Sequence, residues 1–200
     1  MKKIFLLSIL LFSILFSQGA YLLIPMDDTQ KDHLKAYGVA YWVLQHDVEI
    51  SWLLNYRGGS YMFKYNKIFE DECNIRGVTY QVIADVQSTA ILQEISSPEI
   101  NMDEVKLHKA PKIVIYSPKN KQPWDDAVTL ALTYAEVEYE VIWDSEVLDG
   151  KLSEYDWLHL HHEDFTGQYG KFYRNYRNAA WYRKQQSDYE TFAKLRGYSS

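Results

Sequence analysis

Three short apolar runs separated by helical patterns restrict the fold of this chain more than any other feature of its sequence. The first run, residues 112–116, reads Lys-Ile-Val-Ile-Tyr, and its β-branched composition is typical of a strand covered on both faces. Residues 139–143 and 155–161 are two further strand-like runs. A helical pattern lies between the first two runs. Pro123 opens it, Asp125 and Asp126 lie in its first turn, and it extends to about Ala135. This alternation predicts a parallel sheet with helical crossovers.

The residues before these runs also alternate between strand-like and helical patterns. Strand-like runs occupy residues 21–26, 48–56, 61–65 and 78–83, and helical spacing of apolar side chains occupies residues 29–45, 66–76 and 84–95. Gly77 is suited to the C-terminal cap of the second of these helices. We therefore expect an N-terminal half of βαβ type over residues 20–98. Residues 99–110 are polar with few apolar anchors, which is typical of a linker to the second half, residues 111–200.

The N-terminal residues have the composition of a cleavable secretory signal peptide. A Lys-Lys pair precedes an apolar run over residues 4–16, which is too short for a stable transmembrane anchor but suits the hydrophobic region of a signal. Ser17 and Gly19 supply the small residues that cleavage before Ala20 requires. An uncleaved N-terminal anchor is the alternative interpretation. We expect residues 1–19 to be removed from a periplasmic or extracellular protein that keeps no membrane span.

Cys73 is the only cysteine, so the chain cannot form an intrachain disulfide. Glu70, Asp71 and Glu72 immediately precede it, and their negative charge disfavours the thiolate that a nucleophile needs. The sequence therefore predicts that Cys73 packs in the core, or under a partly covered helix face, and takes no part in catalysis.

Charge and aromatic residues are unevenly distributed along the chain. The formal net charge is −6, but residues 20–164 carry 12 basic and 25 acidic side chains, whereas residues 165–200 carry 7 and 2. Residues 168–196 are rich in aromatic side chains interleaved with Arg and Lys, a mixture found on nucleic-acid or glycan surfaces and, more often, on helices that pack against a sheet. We expect this tail to be mainly helical, to bind no nucleic acid, and to dock on the acidic body of the chain. An anionic partner is the alternative.

Polar side chains follow each of the three strands predicted for the second half. Ligands of an open parallel sheet bind beyond the carboxyl ends of its strands, where consecutive loops meet. The residues expected there are Lys119 and Asn120 after the first strand, Asp144 after the second, and His161, His162, Glu163 and Asp164 after the third. Such groups suit proton transfer near neutral pH, or binding of an anion or of sugar hydroxyls. The sequence therefore predicts a cleft for a small molecule or glycan, with a plain salt-bridged loop network as the alternative.

Three further patterns do not predict a functional site of their own. His159 lies on the same face of the predicted strand as His161, and a hydrogen-bonded structural histidine is the simpler interpretation. The spacing of this histidine-rich run matches no standard metal signature, so no metal site is predicted. Residues 57–60 read Arg-Gly-Gly-Ser and could hold an anion through backbone N–H groups, but they lack the length and the lysine of a phosphate-binding loop. We expect an ordinary turn there.

Three segments resemble one family of exported bacterial proteins. They are residues 111–130, which begin Pro-Lys-Ile-Val-Ile-Tyr-Ser-Pro, residues 139–144, Tyr-Glu-Val-Ile-Trp-Asp, and residues 155–168, which begin Tyr-Asp-Trp-Leu-His-Leu-His-His-Glu-Asp. Members of this family look like class I glutamine amidotransferases, and many carry the label asparagine synthetase B. The resemblance extends over residues 20–200 and is strongest in the second half. It implies a flavodoxin-like parallel sheet and an amidotransferase-like ligand site at the strand ends.

The motifs of asparagine synthesis itself do not occur in the sequence. Glutamine-dependent asparagine synthetases expose an N-terminal cysteine once Met is removed, and Lys2 stands at that position here. Their ATP-pyrophosphate loop has a Ser-Gly-Gly-x-Asp-Ser pattern, whose nearest counterpart is Arg57-Gly-Gly-Ser-Tyr. No nucleophile elbow occurs before Ser200, so we expect an incomplete C-terminus.

Two functions stay open on the sequence alone. The first is an exported protein that binds a ligand at the strand ends and hydrolyses it. The second is a non-enzymatic envelope interaction module that uses the basic aromatic tail. The sequence indicates no particular cofactor and no oligomeric state.

Overall fold

The computed structural model describes residues 21–117, 126–160 and 169–198. These residues divide into two compact units, one of residues 21–160 and the other of residues 169–198. The first unit contains two β-sheets with their helices, and the second is a pair of helices.

Five antiparallel strands form the first sheet. They are β1 (Tyr21–Ile24), β2 (Ile50–Leu54), β3 (Ser60–Lys64), β4 (Gln81–Ile83) and β5 (Asp103–Leu107). Helix α1 (His33–Gln45) joins β1 to β2, α2 (Lys67–Arg76) joins β3 to β4, and α3 (Asp85–Ile95) joins β4 to β5. The strand order is β4-β1-β3-β2-β5. The first four strands and two helices thus have the arrangement of the split β-α-β, or ferredoxin-like, motif.

The predicted βαβ-type N-terminal half is therefore wrong in its strand pairing. The alternation of strand and helix was recognised, and β1 and β2 do run in the same direction, because both are antiparallel to β3. However, β3 inserts between them, since the short turn after β2 returns the chain directly alongside it. Alternation of elements along a sequence sets strand direction and leaves open which strands become neighbours.

Apolar side chains cover both faces of this sheet. On one face, Leu22, Ile50 and Phe63 belong to a buried cluster that includes residues of α1 and α2. On the other face, Leu23 and Met62 lie opposite each other in register and pack with residues of α3. Two-sided coverage explains why the strand sequences are nearly continuous apolar runs rather than alternating ones.

Local capping residues fix where the helices begin and end. The Asp32 carboxylate accepts a hydrogen bond from the backbone N–H of Lys35 at 2.9 Å and caps α1. Asn66 caps α2 in the same way through the N–H of Ile68 at 3.0 Å. Gly77 ends α2 with a φ of 70°, which confirms the predicted C-cap.

Residues 99–110, the expected linker, contain strand β5. It pairs with β2 along its whole length, with Trp52 opposite Val105, and forms one edge of the sheet. Its sequence, Asp-Glu-Val-Lys-Leu, is too polar for a strand buried on both faces. Charged side chains are common on edge strands because they discourage pairing with other chains, which explains the linker-like composition.

Cys73 lies on α2 and is completely buried in the apolar cluster that contains Leu22 and Phe63, as predicted. Burial raises the pKa of its thiol to about 12, against about 8.5 in an unfolded chain. We therefore expect no reaction with a thiol reagent at pH 8 until the protein unfolds. Because the unfolded state loses this proton first, folding stability should fall as the pH rises from about 8.5 towards 12.

Comparison with Cys73→Ala by urea denaturation at several pH values isolates this contribution. The difference in unfolding free energy between the two proteins should shrink with increasing pH. Rapid labelling of folded protein, or a constant difference, would contradict the prediction.

Three parallel strands form the second sheet. They are β6 (Ile113–Tyr116), β7 (Glu140–Ile142) and β8 (Trp157–Leu160), in the order β7-β6-β8. Helix α4 (Ala127–Ala135) lies between β6 and β7, and α5 (Asp144–Leu148) follows β7. The central strand β6 is buried, as its β-branched sequence predicts. Asp126 precedes α4 as its N-cap, whereas we expected it within the first turn of a helix that Pro123 opens. Pro123 lies outside the described residues.

The predicted flavodoxin-like sheet is wrong for the described residues. A flavodoxin-like fold joins its strands in a single parallel sheet, whereas here the parallel part has three strands and the N-terminal strands form a separate antiparallel sheet. The second-half pattern was interpreted correctly as parallel. The fold is nevertheless not flavodoxin-like, because the parallel sheet has only three strands among the described residues and the N-terminal half forms its own antiparallel sheet.

The two sheets, each with its helices, form two layers of the first unit. These layers meet where α1 crosses α4. A Cβ atom on Gly38 of α1 would lie 1.8 Å from the carbonyl oxygen of Ala135, so the helix backbones touch. Around this point Lys35 pairs with Glu136 at 2.5 Å, and Arg76 donates to the Ala135 carbonyl at 3.2 Å. The absent side chain at Gly38 therefore sets the distance between the layers.

The second unit consists of α6 (Tyr169–Tyr176) and α7 (Ala180–Leu195), which confirms the mainly helical tail. The rings of Tyr173 and Tyr182 meet edge to face with centroids 6.2 Å apart. Docking of this tail on the acidic body stays a prediction. Across the described residues, every helix is too short or too polar to cross a lipid bilayer.

Candidate functional site

Polar side chains gather at the carboxyl edge of the three-stranded parallel sheet, the edge at which the sequence places a ligand site. His159 comes from β8, Tyr116 from the end of β6, and Asp144 from the residue that begins α5 after β7. Asp126 enters the same edge from the N-cap of α4. Consecutive crossovers bring these elements together, as expected for parallel strands.

His159 and Asp126 form one polar pair at this edge. The imidazole Nε2 lies 2.5 Å from the Asp126 Oδ2 atom, and the two side chains are only 19% and 14% exposed. His159 stands opposite Ile115 in the strand register, so it lies on the face of the sheet that α4 covers. A carboxylate only accepts hydrogen bonds, so the shared proton belongs to Nε2 and the lone pair of a neutral ring is on Nδ1.

The Asp126 carboxylate is held from several directions. Its Oδ1 atom accepts from the N–H of Val128 at 3.3 Å, which caps α4, while its backbone carbonyl accepts from the hydroxyl of Thr129 at 2.9 Å and the N–H of Leu130 at 3.0 Å. Thr129 is itself buried. One carboxylate therefore begins the helix with one oxygen and orients His159 with the other.

A second pair lies on the opposite face of the same edge. The Tyr116 hydroxyl donates a hydrogen bond to the Asp144 carboxylate, and the Tyr116 ring stacks on Trp143 with centroids 4.6 Å apart. Strand side chains alternate between faces, so Tyr116 points away from the face that holds His159. Glu146 accepts from the N–H of Trp143 at 3.1 Å and fixes the turn that presents Asp144. The two pairs therefore do not form one catalytic group.

The predicted site is only partly within the described residues. Asp144 lies at the sheet edge as expected, with Tyr116 as its partner. The other predicted residues, Lys119, Asn120, His161, His162, Glu163 and Asp164, lie outside the described residues. His159, interpreted as structural, has the hydrogen-bond partner that such a histidine requires. Asp126 was missed as its partner because we placed it inside the helix instead of at the N-cap, whose side chain faces the strand ends.

The Arg-Gly-Gly-Ser turn is occupied by its own contacts. The Arg57 guanidinium donates to Asp27 at 2.7 Å and to the hydroxyl of Thr29 at 3.1 Å. The hydroxyl and the backbone N–H of Thr29 also donate to Asp27, and the hydrogen bonds from Arg57 and Thr29 lower the pKa of Asp27 to about 2. A Cβ atom on Gly58 would lie 2.3 Å from the Met26 carbonyl oxygen, and the φ of Gly58 is 82°, so glycine is required there. The turn ties β1 to the β2–β3 hairpin, in agreement with its interpretation as an ordinary turn.

Neither a metal centre nor a known relative helps to define the site. In the part of the chain that the structure describes, no three His, Cys, Asp or Glu side chains are grouped to hold a metal ion. Comparison of the chain with models of protein families, with curated proteins and with solved structures finds no match.

Proposed function

We propose that this chain is an exported α/β protein that binds a small polar ligand at the carboxyl edge of its parallel sheet and hydrolyses it with the help of His159. The observation that carries the proposal is the 2.5 Å hydrogen bond between His159 Nε2 and Asp126 Oδ2 at that edge. A carboxylate that fixes the tautomer and orientation of an imidazole is the arrangement that general-base catalysis uses in many hydrolases.

In this proposal His159 is the proton acceptor and Asp126 positions it. With Nε2 bound to Asp126, the lone pair of Nδ1 can take a proton from a nucleophile or a water molecule. The carboxylate holds the ring in one tautomer and one orientation while the proton is transferred. The sequence resemblance to exported amidotransferase-like proteins supports an amide or ester as the substrate class. Asparagine synthesis is not part of the proposal, since its motifs do not occur in the sequence.

The test is hydrolysis of two chromogenic substrates, γ-glutamyl-p-nitroanilide and p-nitrophenyl acetate. We expect His159→Gln to lower kcat/KM about 100-fold. Asp126→Asn should lower it by about tenfold or more and alter its pH profile, while α4 stays capped, because Asn is as good an N-cap as Asp. Asp126→Ala removes both the partner of His159 and the N-cap of α4, so it should lower activity and also destabilise the fold by about 1 kcal/mol.

His46→Gln is the matched control. His46 is an exposed histidine of the same unit whose Nδ1 lies 2.8 Å from the Trp42 carbonyl oxygen. Its replacement should leave hydrolysis unchanged. If purified protein cleaves neither substrate, or if all four variants behave alike, the hydrolytic proposal fails.

A specific observation favours one alternative, a non-enzymatic interaction module. The unit of residues 169–198 carries seven basic and two acidic side chains, and it exposes Tyr173, Tyr176 and Trp181 by 45%, 42% and 51%. Exposed aromatic groups among arginines are typical of surfaces that bind other molecules. Absence of hydrolysis, together with salt-sensitive binding of an acidic polymer such as heparin, would favour this function.

A further inference from the structure

A cleft of about 590 Å³ opens at the other, amino-terminal edge of the parallel sheet. It lies between the C-terminal half of α1 and the residues that lead into β6, β7 and β8. Leu44 and Ile113 are buried at 6% and 4% exposure and supply apolar lining. This volume is within the usual range for small-molecule sites. The cleft shares none of the residues of the proposed hydrolytic site, and the inference below does not depend on that proposal.

Three tyrosines line the cleft, and the hydroxyl of each has a partner. Tyr41 donates to the Pro111 carbonyl at 3.1 Å, and Tyr155 donates to Glu140 at 2.7 Å. The Tyr139 hydroxyl lies 3.2 Å from that of Thr133. Because these bonds fix the phenol ends, the rings are held in place. Because the rings are already ordered, little side-chain conformational entropy is lost when a ligand binds against them.

The remaining lining is polar and carries both signs of charge. Glu138 accepts from Gln45 at 3.1 Å, Glu140 accepts from Tyr155, and Asp47 is a third carboxylate. Lys109 and Lys112 also line the cleft. Carboxylate and amide oxygens accept hydrogen bonds, and ammonium and amide N–H groups donate them. The cleft therefore combines fixed aromatic rings with closely spaced donors and acceptors, and its charges nearly cancel.

We infer that this cleft is a carbohydrate-binding site for a mono- or disaccharide. A pyranose ring has an apolar C–H face that stacks on aromatic rings and a rim of hydroxyls that both donate and accept. Ordered tyrosines together with carboxylate, amide and ammonium groups match both properties. A simple anion would meet three carboxylates, and a quaternary ammonium ion would meet two lysines, so neither matches the lining as well as a neutral polyhydroxylated ligand.

Isothermal titration of purified protein with cellobiose, maltose and N-acetylglucosamine tests this inference. We expect at least one of them to bind with a Kd of about 1 mM or below. Tyr155→Ala should weaken that binding at least about tenfold, and Tyr155→Phe should weaken it less, because the ring remains. Glu138→Ala, at an exposed position, should weaken it about threefold without affecting the fold.

Tyr65→Ala is the matched control, because the Tyr65 hydroxyl also donates to a glutamate, Glu70, at 2.9 Å but lies outside the cleft. It should bind saccharide like the unchanged protein. The inference is overturned if none of the three saccharides binds at about 10 mM, if the cleft variants bind as tightly as Tyr65→Ala, or if choline chloride binds and the saccharides do not.

Discussion

Gly38→Ala is expected to destabilise the protein by about 3 kcal/mol, measured by urea denaturation. In most exposed helix positions this change is stabilising by up to about 1 kcal/mol, because alanine has the higher helix propensity. Here the added Cβ atom would lie 1.8 Å from the Ala135 carbonyl oxygen and 2.8 Å from its carbonyl carbon. Both are backbone atoms, which cannot turn aside as a flexible side chain can. The helices α1 and α4 must move apart, and the contacts around the crossing must open.

The opened contacts join the two sheets of the first unit. They include the Lys35–Glu136 ion pair at 2.5 Å and the hydrogen bond from Tyr134 to Asp32 at 2.5 Å. The latter carboxylate also caps α1. Because each pair is exposed, its own contribution is small, and most of the predicted cost comes from the steric overlap.

Gly170→Ala provides the matched control for this prediction. Gly170 is the second residue of helix α6, and no atom of the described residues lies within 4 Å of a Cβ atom built there. The unfolding midpoint of this variant should be unchanged or slightly higher. An equal response of the two glycine variants would show that Gly38 does not set the distance between α1 and α4.

Gln30→Ala is expected to lower the free energy of unfolding by about 2 to 3 kcal/mol. Gln30 is 5% exposed, and its amide makes four hydrogen bonds to the backbone. Its nitrogen donates to the carbonyls of Pro25 at 2.8 Å and Thr79 at 3.1 Å, and its oxygen accepts from the N–H groups of Thr79 at 2.8 Å and Lys31 at 3.0 Å. Alanine leaves these groups without their partner, and unsatisfied buried polar groups are costly.

These hydrogen bonds connect segments next to two neighbouring strands, so their loss weakens the contact between those segments. Gln30 lies in the loop after β1 and binds Thr79, 49 positions later and just before β4. The strands β1 and β4 are neighbours in the sheet. Gln45→Ala is the control, since Gln45 is exposed and its amide contacts only the exposed Glu138 carboxylate at 3.1 Å. We expect less than about 0.5 kcal/mol for this change. Comparable losses for the two glutamines would contradict the prediction.

Only part of the candidate site could be predicted from the sequence. Asp144 lies at the carboxyl edge of the sheet, where ligands of parallel sheets usually bind, and its part in a ligand site stays a prediction. The pairing of His159 with Asp126 was not predicted, because the two residues are 33 positions apart and their contact depends on where α4 begins. The position of Asp126 at the N-cap, rather than within the first turn, lets its carboxylate reach the strand.

The sequence by itself determined the elements whose signal is local. The buried strand β6, the glycine that ends α2 and the buried Cys73 all follow from the residue types of one short segment. The pattern of apolar residues and the backbone conformation that glycine permits are local properties of the sequence. Only the tertiary structure decided that β3 lies between β1 and β2, that β5 is a strand, and that α1 and α4 touch at Gly38. Which strands become neighbours and where helices cross depend on packing between segments that are distant in the sequence. Several segments could cover the same apolar surface, so the residues of one segment alone do not determine its partners.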